Sequence, residues 1–169
     1  MPALPFVLKR SDDVISGSKV TSTTERIHGL LRTDGESLVV QWRLARETDH
    51  IGAVIRTDHE YEPVREVSIP LSGIAGAAVR QRKWLWFRLR AEIVLTASDL
   101  RAFEEITGEA GLKLTHPAAL TLPIPRSHEL AALEFAADLN LLLVEREHER
   151  SSGVRRIERP TAPELPLPE

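Results

Sequence analysis

Between Arg80 and Arg90 the chain sets Arg80, Arg82, Lys83, Arg88 and Arg90 around Trp84 and Trp86, with no acid in the run. Cations hold anions by charge and by their N–H donors, and tryptophan adds a stacking face and an amphipathic ring. On one continuous strand Arg80, Arg82, Trp84, Trp86, Arg88 and Arg90 would share a face. Arg80, Arg82, Lys83, Trp84, Trp86, Arg88 and Arg90 are thus a candidate anion- or partner-binding set, suited to a peripheral membrane surface or another polyanion. A hairpin turn near 82–85 would break the phase and leave the arginines as solvated residues whose stems cover the sheet.

Histidine and carboxylate are the other reactive side chains. Asp49, His50, Asp58, His59 and Glu60 could meet across one loop, but Asp-His pairs are equally at home in solvated loops. The six histidines, His28, His50, His59, His116, His128 and His148, include no pair at helical i, i+4 spacing. Glu104 and Glu105 are neighbours and point apart on a helix. The chain has no cysteine, so thiolate zinc sites, iron–sulfur clusters and thiol catalysis are excluded. No phosphate-binding glycine loop, nucleophile elbow or HExxH is present. The expectation is a non-enzymatic protein with no cofactor and no metal.

A third kind of surface is apolar. From Ser127, a potential N-cap, a helical pattern runs from His128 to about His148. At 100° per residue it carries two apolar stripes. Leu130, Leu133, Ala137, Leu141 and Val144 form a narrow one. Ala131, Ala132, Phe135, Ala136, Leu139, Leu142 and Leu143 form a wider one. Between them run Glu129, Asn140 and Glu147 on one side and Glu134, Asp138 and Glu145 on the other. A helix on one sheet needs a single stripe. The second stripe must be covered, by the N-terminal segment, by the C-terminal tail or by another subunit. Phe135, Leu139, Leu142 and Leu143 are the candidate interface, for a homo-oligomer or a protein partner.

The elements that must position these residues are mostly strands. Hydrophobic residues make up 42% and charged residues 28% of the 169, a composition that folds. The net charge of −3 supplies no global pull toward nucleic acid, and none is expected as a partner. Missing cysteine, a start with no secretory pattern and no long apolar run together suggest a cytoplasmic protein. Residues 1–24 are rich in serine and threonine and read as a lead-in. Residues 150–169, with Pro160, Pro163, Pro166 and Pro168, read as an extended tail. The folded unit is 25–149. Within it, 27–32 and 38–44 flank Thr33-Asp34-Gly35-Glu36 as a hairpin. Residues 46–50 and 58–63 read as loops, 64–69 as a strand and 74–80 as a weak one. Phe87 to Leu95 alternates cleanly. Ser98 to Thr107 reads as a short turn or helix, and 111–115 and 119–124 as short strands. About seven strands followed by one helix argue α+β, mainly β.

The order of these landmarks resembles small bacterial pleckstrin-homology-like (PH-like) domain proteins of unknown function. The resemblance rests on Leu30–Arg43, on Val64–Ile74, on the basic Trp hairpin, on Leu95–Phe103 and on the closing Ala/Leu helix, over about 25–149. It implies a seven-stranded bent sandwich or open barrel capped by one C-terminal helix, in a family with some ring-forming bacterial members. Phosphoinositide-binding members carry a Lys-x-Lys/Arg pattern at the first hairpin. Here that turn is Arg32-Thr33-Asp34-Gly35-Glu36, so the resemblance does not extend to that ligand.

Overall fold

Asp34 and Gly35 make the first chain reversal. The Asp34 carboxylate accepts the backbone N–H groups of Ser37 at 2.7 Å and Glu36 at 3.0 Å. Gly35 sits at φ 97°, where a Cβ is strained and glycine is not. The turn joins β2 (Lys19–Thr33) to β3 (Ser37–Ile51), paired from Thr33↔Leu38 to Val20↔Ile51. The computed structural model describes residues 3–16, 19–51, 56–84, 87–107, 112, 114 and 116–154, with the side chains of 16, 19, 82–84, 87–89, 153 and 154 outside that description.

The supposed lead-in of residues 1–24 is part of the sheet. β1 (Leu4–Ser16) pairs antiparallel along its whole length with β2, from Leu4↔Leu31 to Ser16↔Lys19. On the other side of β3 lie two short strands end to end. β4 (Arg56–Tyr61) runs along its second half and β5 (Arg65–Pro70) along its first. The break between them contains Pro63, which has no N–H to give. The loops expected at 46–50 and 58–60 are therefore paired strands.

A 3-10 turn, Leu71–Gly73, leads to a second antiparallel sheet of β6 (Ile74–Trp84), β7 (Phe87–Ala97) and β8 (Ala119–Ile124). The short α1 (Glu104–Thr107) lies between β7 and β8, and β8 comes to lie beside β1. After Pro125 and a 3-10 turn at Arg126–His128, α2 runs from Glu129 to Val154. Ser127 makes no cap bond. Its hydroxyl meets His128 Nδ1 instead. The fold is mainly β: two sheets, eight strands among the described residues, and a C-terminal helix. The tail expected from residue 150 begins later, since α2 continues through residue 154, and 155–169 lie outside the described residues. The strand expected at 111–115 lies mostly outside them as well. No helix among the described residues is long and apolar enough to cross a membrane.

The core lies between the sheets and under the helix. Leu4, Phe6, Ile27, Leu31, Val40, Trp42 and Leu44 come from the inner face of β1–β3, and Ile93, Leu95, Leu120, Leu122 and Ile124 from the second sheet. Phe103 and Ile106 of the β7–β8 connection join them. The far halves of β1, β2 and β3, together with β4, project past this core and contribute no buried residue.

Candidate functional site

Helix α2 is fastened along the free edge of β6. The Asn140 side chain accepts the Ala77 N–H and donates to the Ala77 carbonyl, both at 2.8 Å. One amide thus satisfies both edge groups of a residue that has no strand neighbour on that side. Gln81 donates to Glu129 nearer the start of the helix. The polar line Glu129–Asn140 is consequently turned toward β6, and this fixes where both apolar stripes point.

The wider stripe packs into the chain's own core. Phe135 is 1% exposed and Leu139 0%, while Leu142 and Leu143 are half-buried against the same cluster. Phe135, Leu139, Leu142 and Leu143, expected as an interface, are thus corrected to the core-facing side of α2. The orientation set by Asn140 also buries the bulkier stripe, at about 1.5–3 kcal/mol per large side chain. The narrow stripe is the wet one. Leu130 is 69% exposed, Leu141 59% and Val144 65%, with Leu133 and Ala137 also exposed. Along its outer rim stand Glu134, Asp138 and Glu145, all exposed. Beside the C-terminal half of the helix a groove of about 480 Å³ is lined by Ser72, Ser98, Leu143, Val144, Arg146 and Arg150 among others. The exposed apolar surface is thus continuous with a concave one.

The basic hairpin is described only in part. β6 and β7 pair from Arg80↔Glu92 through Trp84↔Phe87, with a register shift between Gln81 and Lys83. The turn expected near 82–85 therefore does not interrupt the pairing before Trp84, and residues 85 and 86 lie outside the described residues. Arg80 and Arg90 are exposed. Trp86 and the side chains of Arg82, Lys83, Trp84 and Arg88 lie outside the described residues. The imagined histidine loop is taken apart by strand alternation. His50 shares the inner face of its sheet with Arg56 and Asp58, whereas His59 shares the outer face with Glu47. His50 Nε2 meets Asp58 at 3.5 Å, and Asp58 also accepts from Arg56 at 2.9 Å. Among the described residues no group of three or more His, Asp or Glu is placed to hold a metal.

Two charged arrangements escaped sequence reading, because both depend on register across three or four strands. On the inner face, Arg10, Glu25, Arg46 and Glu60 occupy one row of β1–β2–β3–β4. Arg46 donates to Glu25 at 3.1 and 3.2 Å and to Glu60 at 3.1 Å. The hydrogen bond to Glu25 is the main reason that its guanidinium pKa is raised further. On the outer face, Lys9 stands opposite Arg26, and His28 opposite Arg43. All four are exposed, and the Arg43 guanidinium lies over the Tyr61 ring, 5.2 Å from its centroid. A usable signal was present in the alternation Arg26-Ile27-His28 and Trp42-Arg43-Leu44, which puts the charged residues on the wet side of two adjacent strands. No protein-family model matches the chain, and no curated protein or solved structure matches it.

Proposed function

We propose that the chain is a non-enzymatic PH-like interaction module that docks a protein partner through the outer stripe of α2. Strand order supports the fold reading. With β4 and β5 counted as one interrupted strand, the chain makes a four-strand meander, then a three-strand meander, then a closing helix. The contact of β8 with β1 is in keeping with an open barrel.

The observation that carries the functional reading is the exposure of Leu130, Leu133, Leu141 and Val144 on a helix whose opposite side is core. A monomer that leaves such a contiguous row wet usually has something to cover it. Glu134, Asp138 and Glu145 along the rim specify a partner segment with apolar anchors flanked by cations. A second copy of α2 laid on the stripe would set acid against acid, which disfavours self-association through this face.

A synthetic amphipathic peptide with leucine at heptad spacing and lysine flanks tests this, with a glutamate-flanked analogue beside it. Calorimetry is expected to show saturable binding of the lysine peptide, no binding of the analogue, and loss of binding in Leu133→Glu and Leu141→Glu. Those variants should keep the parent melting temperature, since surface changes usually stay within about 0.5 kcal/mol. Equal binding of both peptides, or a dimer in solution that Leu141→Glu dissociates, would overturn the basic-partner reading.

A further inference from the structure

We infer that the outer face of β1–β3 is a binding site for a phosphate-type oxyanion, at a place distinct from α2 and from the basic hairpin. Three observations carry it. The first is placement. Lys9, Arg26, His28 and Arg43 occupy two adjacent rows of three neighbouring strands. With strands about 4.8 Å apart and same-face residues roughly 6.7 Å apart along each strand, their Cα atoms span about 12 Å at most. Side chains of that length can converge on one tetrahedral anion.

The second is electrostatic. Like charges directly opposite on a sheet are destabilising. Lys9 faces Arg26 all the same, and no ion pair joins Lys9, Arg26 or Arg43 to an acid among the described residues. Arg32, Arg46, Arg56 and Arg65 each have one. The nearest acids on the same face stand one row further on at either side, Glu47 opposite Thr24 and His59, and Glu66 opposite Gln41, where it pairs with Arg32. A bound dianion would supply the missing counter-charge.

The third is shape. A groove of about 260 Å³ opens on this face, lined by Arg26, His28, Arg43, His59 and Tyr61 among others, with Glu47 at its Thr24 side. It suits a phosphate monoester or a diphosphate. Tyr61 holds the Arg43 guanidinium against its ring, so less side-chain freedom is lost when the N–H edge meets an anion.

Inorganic pyrophosphate titrated at constant ionic strength, followed by amide and imidazole NMR shifts, is the direct test. Saturable shifts centred on residues 26, 28, 43 and 59 are expected. Arg26→Gln and Arg43→Gln should each weaken binding about ten-fold or more, as befits loss of a charge-assisted contact. Arg10→Gln removes a neighbouring positive charge from the opposite face and should leave affinity within about two-fold, as P–O recognition rather than net charge is being read. Vesicles of phosphatidylcholine with and without phosphatidic acid separate two sources of the same group. Pyrophosphate-competed binding to phosphatidic acid assigns a lipid headgroup, and pyrophosphate binding without vesicle binding assigns a soluble phosphate; either upholds the site. Binding to neither probe, or equal losses in Arg10→Gln and Arg26→Gln, would overturn it.

Discussion

The two faces of the β1–β4 sheet, one residue out of step with each other, treat charge in opposite ways. Arg10, Glu25, Arg46 and Glu60 alternate in sign across four strands on the inner face. Their immediate neighbours Lys9 and Arg26 sit opposite one another on the outer face, with His28 and Arg43 in the next row. Opposite-sign cross-strand pairs stabilise a sheet and like-sign pairs weaken it, each by about 0.2–1 kcal/mol. The inner row accordingly serves the fold where the strands leave the core. The outer block opposes the fold, and local conflicts of that kind concentrate at functional sites.

The strongest way to break the comparison is to move the faces themselves. Phe6, Gly29 and Trp42 are register partners on the inner face, and the Phe6 ring lies across Gly29. A Cβ there would stand 2.1 Å from Phe6 Cζ and 2.7 Å from the Gln41 carbonyl oxygen. Phe6 is enclosed by the core and has nowhere to swing. Gly29→Ala is expected to cost about 3 kcal/mol by overpacking, read as a lower urea midpoint with unchanged slope.

A gentler pair of substitutions sharpens it, because the two should differ in sign. Arg46→Gln removes the donors that hold Glu25 and Glu60. Arg46 and Glu25 are only half-buried and Glu60 is exposed, so screening limits the loss to about 1 kcal/mol, and less in high salt. Arg26→Gln relieves the repulsion with Lys9 and should raise stability by about 0.5 kcal/mol in low salt. Paired urea titrations of the two variants measure the contrast directly. A destabilised Arg26→Gln would mean that the outer block also has a structural role.

The same contrast explains what could be read in the sequence. Residues 38–44 and 87–95 face a core on one side and water on the other, so their alternation was visible, and the Asp34-Gly35 turn between two such runs fixed the hairpin. The halves of β1–β3 beyond Leu8, Ile27 and Leu44 have water on both faces. Ser, Thr, Asp, Glu and Arg then occupy both sides and no period of two appears, so 1–24 looked like a lead-in and 46–60 looked largely like loop. Helix α2 was legible as a helix with two stripes. Which stripe turned inward was not, because Asn140 settles it by bonding Ala77, 63 residues away in sequence. The outer cationic block was hidden for a related reason. Lys9, Arg26 and Arg43 become neighbours only once the register of three strands is known.

That register begins at Asp34, and its acid sensitivity is the smallest effect expected. A slip of one residue between β2 and β3 would turn one strand over against the other and carry either Arg26 or Arg43 inward. The Asp34 carboxylate opposes such a slip by accepting the Ser37 and Glu36 N–H groups, and those bonds, Ser37 first, hold its pKa below the ordinary aspartate value. A carboxyl whose pKa is depressed in the folded state contributes stability that is fully present above its unfolded pKa. The contribution fades as pH falls through the folded value, here below about pH 4. Asp34→Asn keeps an acceptor oxygen but cannot titrate. Its difference in urea midpoint from the parent should be constant above about pH 5 and shrink toward about pH 3, where the parent loses its advantage. A difference that stays fixed down the acid limb would show that the turn is held by Gly35 and its positive φ alone, with the Asp34 charge contributing nothing to the register that separates the two faces.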